Sequence, residues 1–254
     1  MTLSGSNSYT GATTVSAGTL LVSSAGRLAS SSVTVGSNST FIYNNTSAFA
    51  GNVAVTGTLG GSGKLGGIIS GSGLVGPGNS PGILTAGQVD PTGGLDFAFE
   101  FTSTGAPTYS NNTASVNDVM RVTDATTPFT ASLGATNTIN VYLNVTSLTG
   151  GNTFDGGFYT DKSASFLSSI SGATYAYYLF NAGGAVTYNG VNYDAYGGPL
   201  TFSVSTVAQM ADFGGGNING YVTEFTVIPE PSTLALMGLG FTVVLCGFRR
   251  RAKQ

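Results

Sequence analysis

The chain has 254 residues, of which only 7% are charged and none is histidine or tryptophan, and residues 1–228 carry four basic against ten acidic residues. This balance leaves no basic patch for nucleic acid. The single cysteine, Cys246, lies near the C-terminal end, so residues 1–228, which we call the body, cannot use thiol or imidazole chemistry. We therefore expect no cofactor and no metal. Abundant Thr, Val, Tyr and Phe predict an all-β protein.

Residues 1–88 form the first predicted unit. Short apolar groups such as Leu20–Val22 and Phe41–Tyr43 recur along it, separated by Gly, Ser and Asn. The intervals of roughly 8–15 residues are typical of short strands joined by turns. A β-solenoid and a β-sandwich both produce such spacing, and the spacing by itself leaves both open.

The first residues of this unit carry a recognisable repeat. From Leu3 to Leu20 they are Leu-Ser-Gly-Ser-Asn-Ser-Tyr-Thr-Gly-Ala-Thr-Thr-Val-Ser-Ala-Gly-Thr-Leu, which resembles the autotransporter-associated β-strand repeat. The segment Gly76–Thr85, with Pro-Gly-Asn-Ser-Pro-Gly at its centre, resembles the turn found after such repeats. The resemblance implies a right-handed parallel β-helix, or solenoid, of the passenger type.

Residues 89–228 form the second predicted unit, a β-rich continuation or cap, with a boundary near Pro91–Gly94. One segment, Phe166–Ile170, is predicted as a short helix. Apolar residues alternating with polar ones predict half-buried strands. These strands are expected at Leu95–Phe101, Val119–Val122, Ile139–Val145, Tyr175–Phe180, Thr201–Val207 and Tyr221–Val227.

Carboxylates are the only candidates for chemistry in the body. Asp155, Asp161 and Lys162 lie within one Gly-rich stretch, and Asp118 and Asp124 flank a predicted strand. A converging set of these acids would suit Ca²⁺ binding or glycoside hydrolysis. We favour solvated turn acids, and therefore predict a protein that is not an enzyme and has no catalytic residues.

Two further patterns have competing interpretations. The glycine-rich run Gly60–Gly67 lacks the Gly-Lys-Ser/Thr ending of a phosphate loop, so we reject that interpretation. Several tyrosines could form a face that stacks on sugar rings, although packing between strands is the simpler explanation. These tyrosines are Tyr175, Tyr177, Tyr178, Tyr188, Tyr193 and Tyr196.

The third predicted unit, residues 229–254, has three parts. Pro229, Glu230 and Pro231 end the β-rich region, because proline cannot continue a strand ladder. The uncharged run Leu234–Phe248 follows, and a core helix or a short membrane-spanning helix would fit its length. The residues expected to form the membrane helix are Leu234, Leu236, Leu239, Phe241, Val243, Val244, Leu245 and Phe248.

Three consecutive arginines, Arg249, Arg250 and Arg251, favour the membrane interpretation. A dense cationic cluster requires water or anionic headgroups, and the positive-inside rule places it in the cytoplasm and residues 1–228 outside. The order of Pro-Glu-Pro, apolar helix and arginines resembles the PEP-CTERM sorting signal of Gram-negative bacteria. The resemblance implies that exosortase recognises Pro229–Pro231 and cleaves near them, with Arg249–Arg251 as the stop-transfer signal.

These patterns together predict an exported protein of the cell surface or extracellular matrix. We expect a precursor tethered in the inner membrane, exosortase as a processing partner and exopolysaccharide as a binding partner. A β-helical carbohydrate-active enzyme and an autotransporter-like adhesin are the alternatives. Because Met1–Gly5 does not have the composition of a signal peptide, we expect the complete protein to begin upstream.

Overall fold

The computed structural model describes residues 1–78, 81–104, 116–124, 126–161, 166–198, 200–212 and 217–229. The chain coils so that successive strands alternate between two largely parallel sheets that face each other across a shared apolar core. This arrangement is a β-solenoid, in which each turn of the chain stacks on the previous one. The all-β, parallel-sheet class predicted from the sequence is therefore confirmed, whereas the right-handed sense of the coil stays a prediction.

Sheet 1 contains ten strands in the order β1-β4-β7-β9-β11-β13-β15-β17-β19-β18. Their bounds are β1 Thr2–Leu3, β4 Gly18–Val22, β7 Ser39–Tyr43, β9 Thr58–Gly61, β11 Leu74–Pro77, β13 Asp96–Phe101, β15 Thr138–Leu143, β17 Thr174–Phe180, β18 Val186–Tyr188 and β19 Val191–Ala195.

Sheet 2 contains nine strands in the order β20-β21-β16-β14-β12-β10-β8-β6-β3. Their bounds are β3 Thr13–Val15, β6 Ser32–Val35, β8 Asn52–Val55, β10 Lys64–Gly71, β12 Ile83–Val89, β14 Val119–Val122, β16 Thr153–Thr160, β20 Leu200–Asp212 and β21 Asn217–Pro229. A small third sheet pairs β2 (Ser6–Asn7) with β5 (Arg27–Leu28). A helix, α1, spans Phe166–Ile170, and a 3-10 helix spans Pro91–Gly93.

Inward-facing side chains stack in ladders from one strand to the next. In sheet 1, the register aligns Leu20, Phe41, Leu59, Val75 and Phe97 on five successive strands. All of these side chains are buried, and they belong to one continuous core cluster. Alternation along each strand sends every second residue to this core, so the period of two that is visible in the sequence sets the register.

The corners between strands depend on close backbone approach. Gly71 has φ +118°, and a Cβ atom built there would overlap the carbonyl oxygen of Val55 in the preceding turn of the coil. Only glycine fits this position without displacing the neighbouring strand. Such a glycine thus allows successive turns of the coil to stack closely, in addition to allowing the chain to turn sharply.

Both sheets continue across residue 88, because β11 pairs with β13 and β12 with β14. The parallel stacking ends in antiparallel pairs, β17 with β19 in sheet 1 and β16 with β21 in sheet 2. The predicted domain boundaries themselves stay predictions.

The predicted elements of residues 89–228 match the structure closely. Val119–Val122 and the helix Phe166–Ile170 have the predicted bounds, and the other strands differ from prediction mainly at their ends. The last strand extends to Pro229, which lies opposite Leu200. Proline is tolerated there because the pairing of β21 with β16 has already ended at Thr226, so the missing N–H costs no ladder bond on that side.

Among the described residues, no helix is long and apolar enough to cross a membrane. The membrane helix predicted at Leu234–Phe248 lies outside them, as do Glu230, Pro231 and Arg249–Arg251.

Candidate functional site

A groove with a volume of about 290 Å³ lies on the outer face of sheet 1. Its floor is formed by outward-facing residues of β7, β9 and β11, and the tight turn between β18 and β19 closes one side. We call it the outer groove. It is lined by Thr40, Ile42, Thr58, Gly60, Gly61, Leu74, Gly76, Gly78, Tyr188 and Asn189.

Among the described residues, no charged one lines the outer groove. Threonine hydroxyls and the Asn189 amide provide hydrogen-bonding groups, while Ile42 and Leu74 provide apolar contact. At Gly60 no side chain covers the strand backbone, whereas at Gly76 a Cβ atom would meet the Tyr188 hydroxyl at 2.5 Å, so the hairpin covers that position. This mixture of flat apolar surface and neutral polar groups suits an uncharged ligand that carries both C–H and O–H groups.

The turn that closes the groove is a two-residue hairpin loop. Asn189 has φ 49° and Gly190 has φ 79°, and both values lie in the left-handed region. Asn-Gly is the sequence that such a turn favours. Sequence reasoning missed this hairpin, although the dipeptide between two short apolar segments was the signal that could have revealed it.

Behind the hairpin, four tyrosines form a compact group that we call the tyrosine cluster: Tyr142, Tyr178, Tyr188 and Tyr193. The ring of Tyr142 stacks on Tyr188 at 4.3 Å and on Tyr178 at 4.7 Å, and it meets Tyr193 edge-on at 5.0 Å. The Tyr188 hydroxyl donates to the carbonyl oxygen of Ala98 at 3.2 Å. Stacked rings with a satisfied hydroxyl fix the hairpin on the sheet.

The other three of the six tyrosines named in the sequence analysis lie outside the tyrosine cluster. Tyr175 and Tyr177 pack against the main core, and Tyr177 stacks on Phe202 at 3.9 Å. Tyr196 meets Phe202 edge-on. The six tyrosines singled out in the sequence therefore do not form one sugar-stacking face, and Tyr188 is the member of that set that lines the outer groove.

Two buried carboxyl groups lie beneath the tyrosine cluster. Glu100 accepts hydrogen bonds from the Tyr193 hydroxyl at 2.7 Å and from the Asn144 amide at 3.0 Å. Asp118 accepts from the backbone N–H groups of Gly82 and Glu100, both at 2.8 Å. Burial raises the pKa of Asp118 well above its ordinary value, and the nearby Glu100 charge adds to the effect.

The neighbouring Asn117 has an equally structural role. Its side-chain oxygen accepts from the backbone N–H groups of Thr102 and Ser103, and its amide donates to the carbonyl oxygens of Ser103 and Asp155. Both Asn117 and Asp118 are fully buried, and their contacts join three strands. The prediction that Asp118 is a solvated turn acid is therefore wrong.

The other candidate acids are also tied to local partners. Asp124 accepts from the backbone N–H groups of Thr126 and Thr127 and so caps a turn, as predicted. Asp161 forms a 2.7 Å ion pair with Arg121, and both side chains are largely buried. Lys162 lies outside the described residues.

Asp155 is the most unusual of these acids. It lies opposite Glu224 in the antiparallel pair of β16 and β21, and one of its buried carboxyl oxygens has no hydrogen-bond partner. Burial, together with the charge of Glu224, raises the pKa of Asp155 to about 6. The pair belongs to sheet 2, whereas the outer groove lies on sheet 1.

These acids do not converge on one site. Within the described parts of the chain, no group of three or more His, Cys, Asp or Glu side chains is arranged to hold a metal ion. Asp118, Asp124 and Asp161 each anchor a turn, a strand or a neighbouring side chain.

Comparison with known proteins gives two matches at the two ends of the chain. Residues 1–22 match the passenger-associated-transport-repeat, and residues 227–251 match the PEP-CTERM protein-sorting motif. No curated protein and no solved structure matches the chain. The chain therefore carries a passenger-type repeat at the start of its solenoid and, beginning at the last residues of β21, a PEP-CTERM motif that marks it for export and sorting by exosortase.

Proposed function

We propose that this protein is a non-enzymatic component of the cell surface or extracellular matrix. In this proposal exosortase cleaves the tail near Pro229–Pro231, and the released solenoid associates with exopolysaccharide. The observation that carries the proposal is the match of residues 227–251 to the sorting motif. That motif overlaps only the end of β21, so cleavage beyond this strand would leave the folded body intact.

The lining of the outer groove and the positions of the acidic residues support a binding role for the body. The described residues that line the outer groove are neutral polar or apolar, which suits a neutral polysaccharide better than an anionic one. The acids that a hydrolase would need are engaged in structural contacts or belong to the other sheet. A solenoid also presents a long face, along which several sugar residues can be contacted at once.

Sorting is tested by expressing the protein behind an export signal of the host, in a host that contains exosortase. We expect a mature species that lacks the residues after Pro231, found at the cell surface or in the medium, by intact mass and cell fractionation. A variant with Pro229, Glu230 and Pro231 all changed to alanine should remain full length and membrane-bound. Full-length, membrane-retained protein in both cases would indicate a permanent anchor.

Carbohydrate binding is tested separately by affinity electrophoresis in gels that contain dextran, a neutral glucan, or alginate, an anionic polymer. We expect retardation by the neutral polymer. Thr58→Trp, which fills the outer groove, should abolish it, whereas Thr14→Trp on the exposed face of sheet 2 should not. Equal retardation of both variants would remove the outer groove from the proposal.

One observation favours a second candidate, a carbohydrate-active enzyme. Asp155 and Glu224 are paired carboxyl groups, and a pKa raised to about 6 is in the range of a general acid. Release of reducing ends from a polysaccharide, lost in Asp155→Asn, would support this candidate. No release by the wild-type protein is the result that the matrix proposal expects.

A further inference from the structure

The outermost strand of sheet 2, β20, is a long edge. It spans 13 residues, Leu200–Asp212, and pairs along its whole length with β21 on one side. On its other side, no strand within the described part of the chain pairs with it. The corresponding edge strand of sheet 1, β18, has only three residues.

This edge lacks the features by which proteins protect exposed strands. Such features are charged side chains, proline, bulges and short length. From Leu200 to Ala211 the sequence contains no charged residue, no proline and no glycine, and its pairing with β21 runs without a register shift. Met210 is also 58% exposed, so this edge presents an apolar side chain to a partner strand.

The sequence of β20 is compatible with antiparallel pairing to itself. In a register centred on Thr206, Phe202 lies opposite Met210 and Val204 lies opposite Ala208. Apolar side chains therefore meet apolar ones on the same face, and Ser203 meets Gln209 on the other face. No like charges come together, because the one charged residue, Asp212, lies opposite Leu200 of the other copy.

We infer that β20 is a dimerisation edge, at which two copies of this chain join by antiparallel β20–β20 pairing to form one continuous sheet across both solenoids. The contact is isologous, so it closes at two copies and does not propagate into a fibre. It is independent of the proposed matrix function, and a dimer would present two outer grooves instead of one.

The register is tested by cross-linking the full-length chain in a mild detergent. In a Cys246→Ser background, Thr206→Cys places two thiols opposite each other at the centre of the contact, where facing Cβ atoms lie about 4.5–5.5 Å apart. A short thiol-reactive cross-linker should give a covalent dimer in high yield. Thr34→Cys, exposed in β6 of the same sheet, is the matched control and should give little.

The edge itself is tested by adding charge. Ala208→Lys with Met210→Lys introduces cations at exposed positions of β20, and light scattering should then give the 25.5 kDa mass of one chain, compared with twice that mass for the wild type. Thr34→Lys should remain dimeric. The inference is overturned by a monomeric wild type, by equal cross-linking at positions 34 and 206, or by a dimer that survives the lysines, since the last result would place the contact elsewhere.

Discussion

The hydroxyl of Tyr193 donates a 2.7 Å hydrogen bond to the carboxylate of Glu100, a residue 93 positions earlier in the chain, and both side chains are buried. This contact ties the β18–β19 hairpin to the middle of sheet 1. The hairpin closes one side of the outer groove, so the contact also fixes the shape of that groove. Without this donor the buried Glu100 carboxyl group would keep the hydrogen bond from the Asn144 amide but lose a second one that offsets its desolvation.

Tyr193→Phe should therefore destabilise the protein by about 1–3 kcal/mol, the usual cost of removing one hydrogen bond to a buried carboxyl group. Urea unfolding followed by tyrosine fluorescence measures the change. Tyr178→Phe is the matched control, because its hydroxyl lies 3.5 Å from Asn140 and its ring stacks on Tyr142 as before. Equal losses in the two variants would show that the Glu100 contact has no special role.

The stability of the protein should also depend on the protonation of Asp155. Its pKa is about 6 in the folded protein and near its ordinary value of 3.8 when unfolded, so the folded state retains the proton between these values. Folding is then favoured most at low pH, and stability falls as the pH rises from about 4 to 6. The loss from this group amounts to roughly 2–3 kcal/mol by linkage.

Asp155→Asn removes this titration. We expect the variant to be more stable than the wild type at pH 7 and to lose less stability between pH 4.5 and 6.5, in urea unfolding at a series of pH values. Glu224→Gln should also flatten the dependence, because the neighbouring charge that raises the Asp155 pKa is gone. An unchanged slope in both variants would contradict the assignment to this pair.

How far the sequence predicts this structure depends on the range of each contact. Strand Val119–Val122 and helix Phe166–Ile170 follow from local patterns, and the structure has both with the predicted bounds. The Tyr193–Glu100 bond does not follow from any local pattern, because stacking of the coil decides which distant strands become neighbours. Asp118 was predicted as a turn acid because its partners are also distant in sequence. Nothing near it in sequence shows that it is buried and accepts hydrogen bonds from the backbone N–H groups of Gly82 and Glu100.

The ion pair of Arg121 with Asp161 provides a third test. Their side chains are 11% and 13% exposed, so removing one partner leaves a poorly solvated charge. Asp161→Asn should destabilise the protein by about 1–3 kcal/mol, whereas Arg121→Met combined with Asp161→Leu should cost less than the single change. With the single variants Arg121→Met and Asp161→Leu, this pair completes a double-mutant cycle measured by urea unfolding, and additive losses would mean that the two charges do not interact.

The Asn189–Gly190 turn provides the last test, because it places Tyr188 at the outer groove. Gly190 has φ 79°, a conformation that costs a residue with a Cβ about 1–2 kcal/mol. Gly190→Ala should lower stability by about that amount and weaken retardation by dextran, since the hairpin would shift from the groove. Gly183→Ala, where an added Cβ would meet only the Asn181 side chain at 4.0 Å, should change neither. If Gly190→Ala lost stability but bound dextran as the wild type does, the hairpin would not be part of the binding surface.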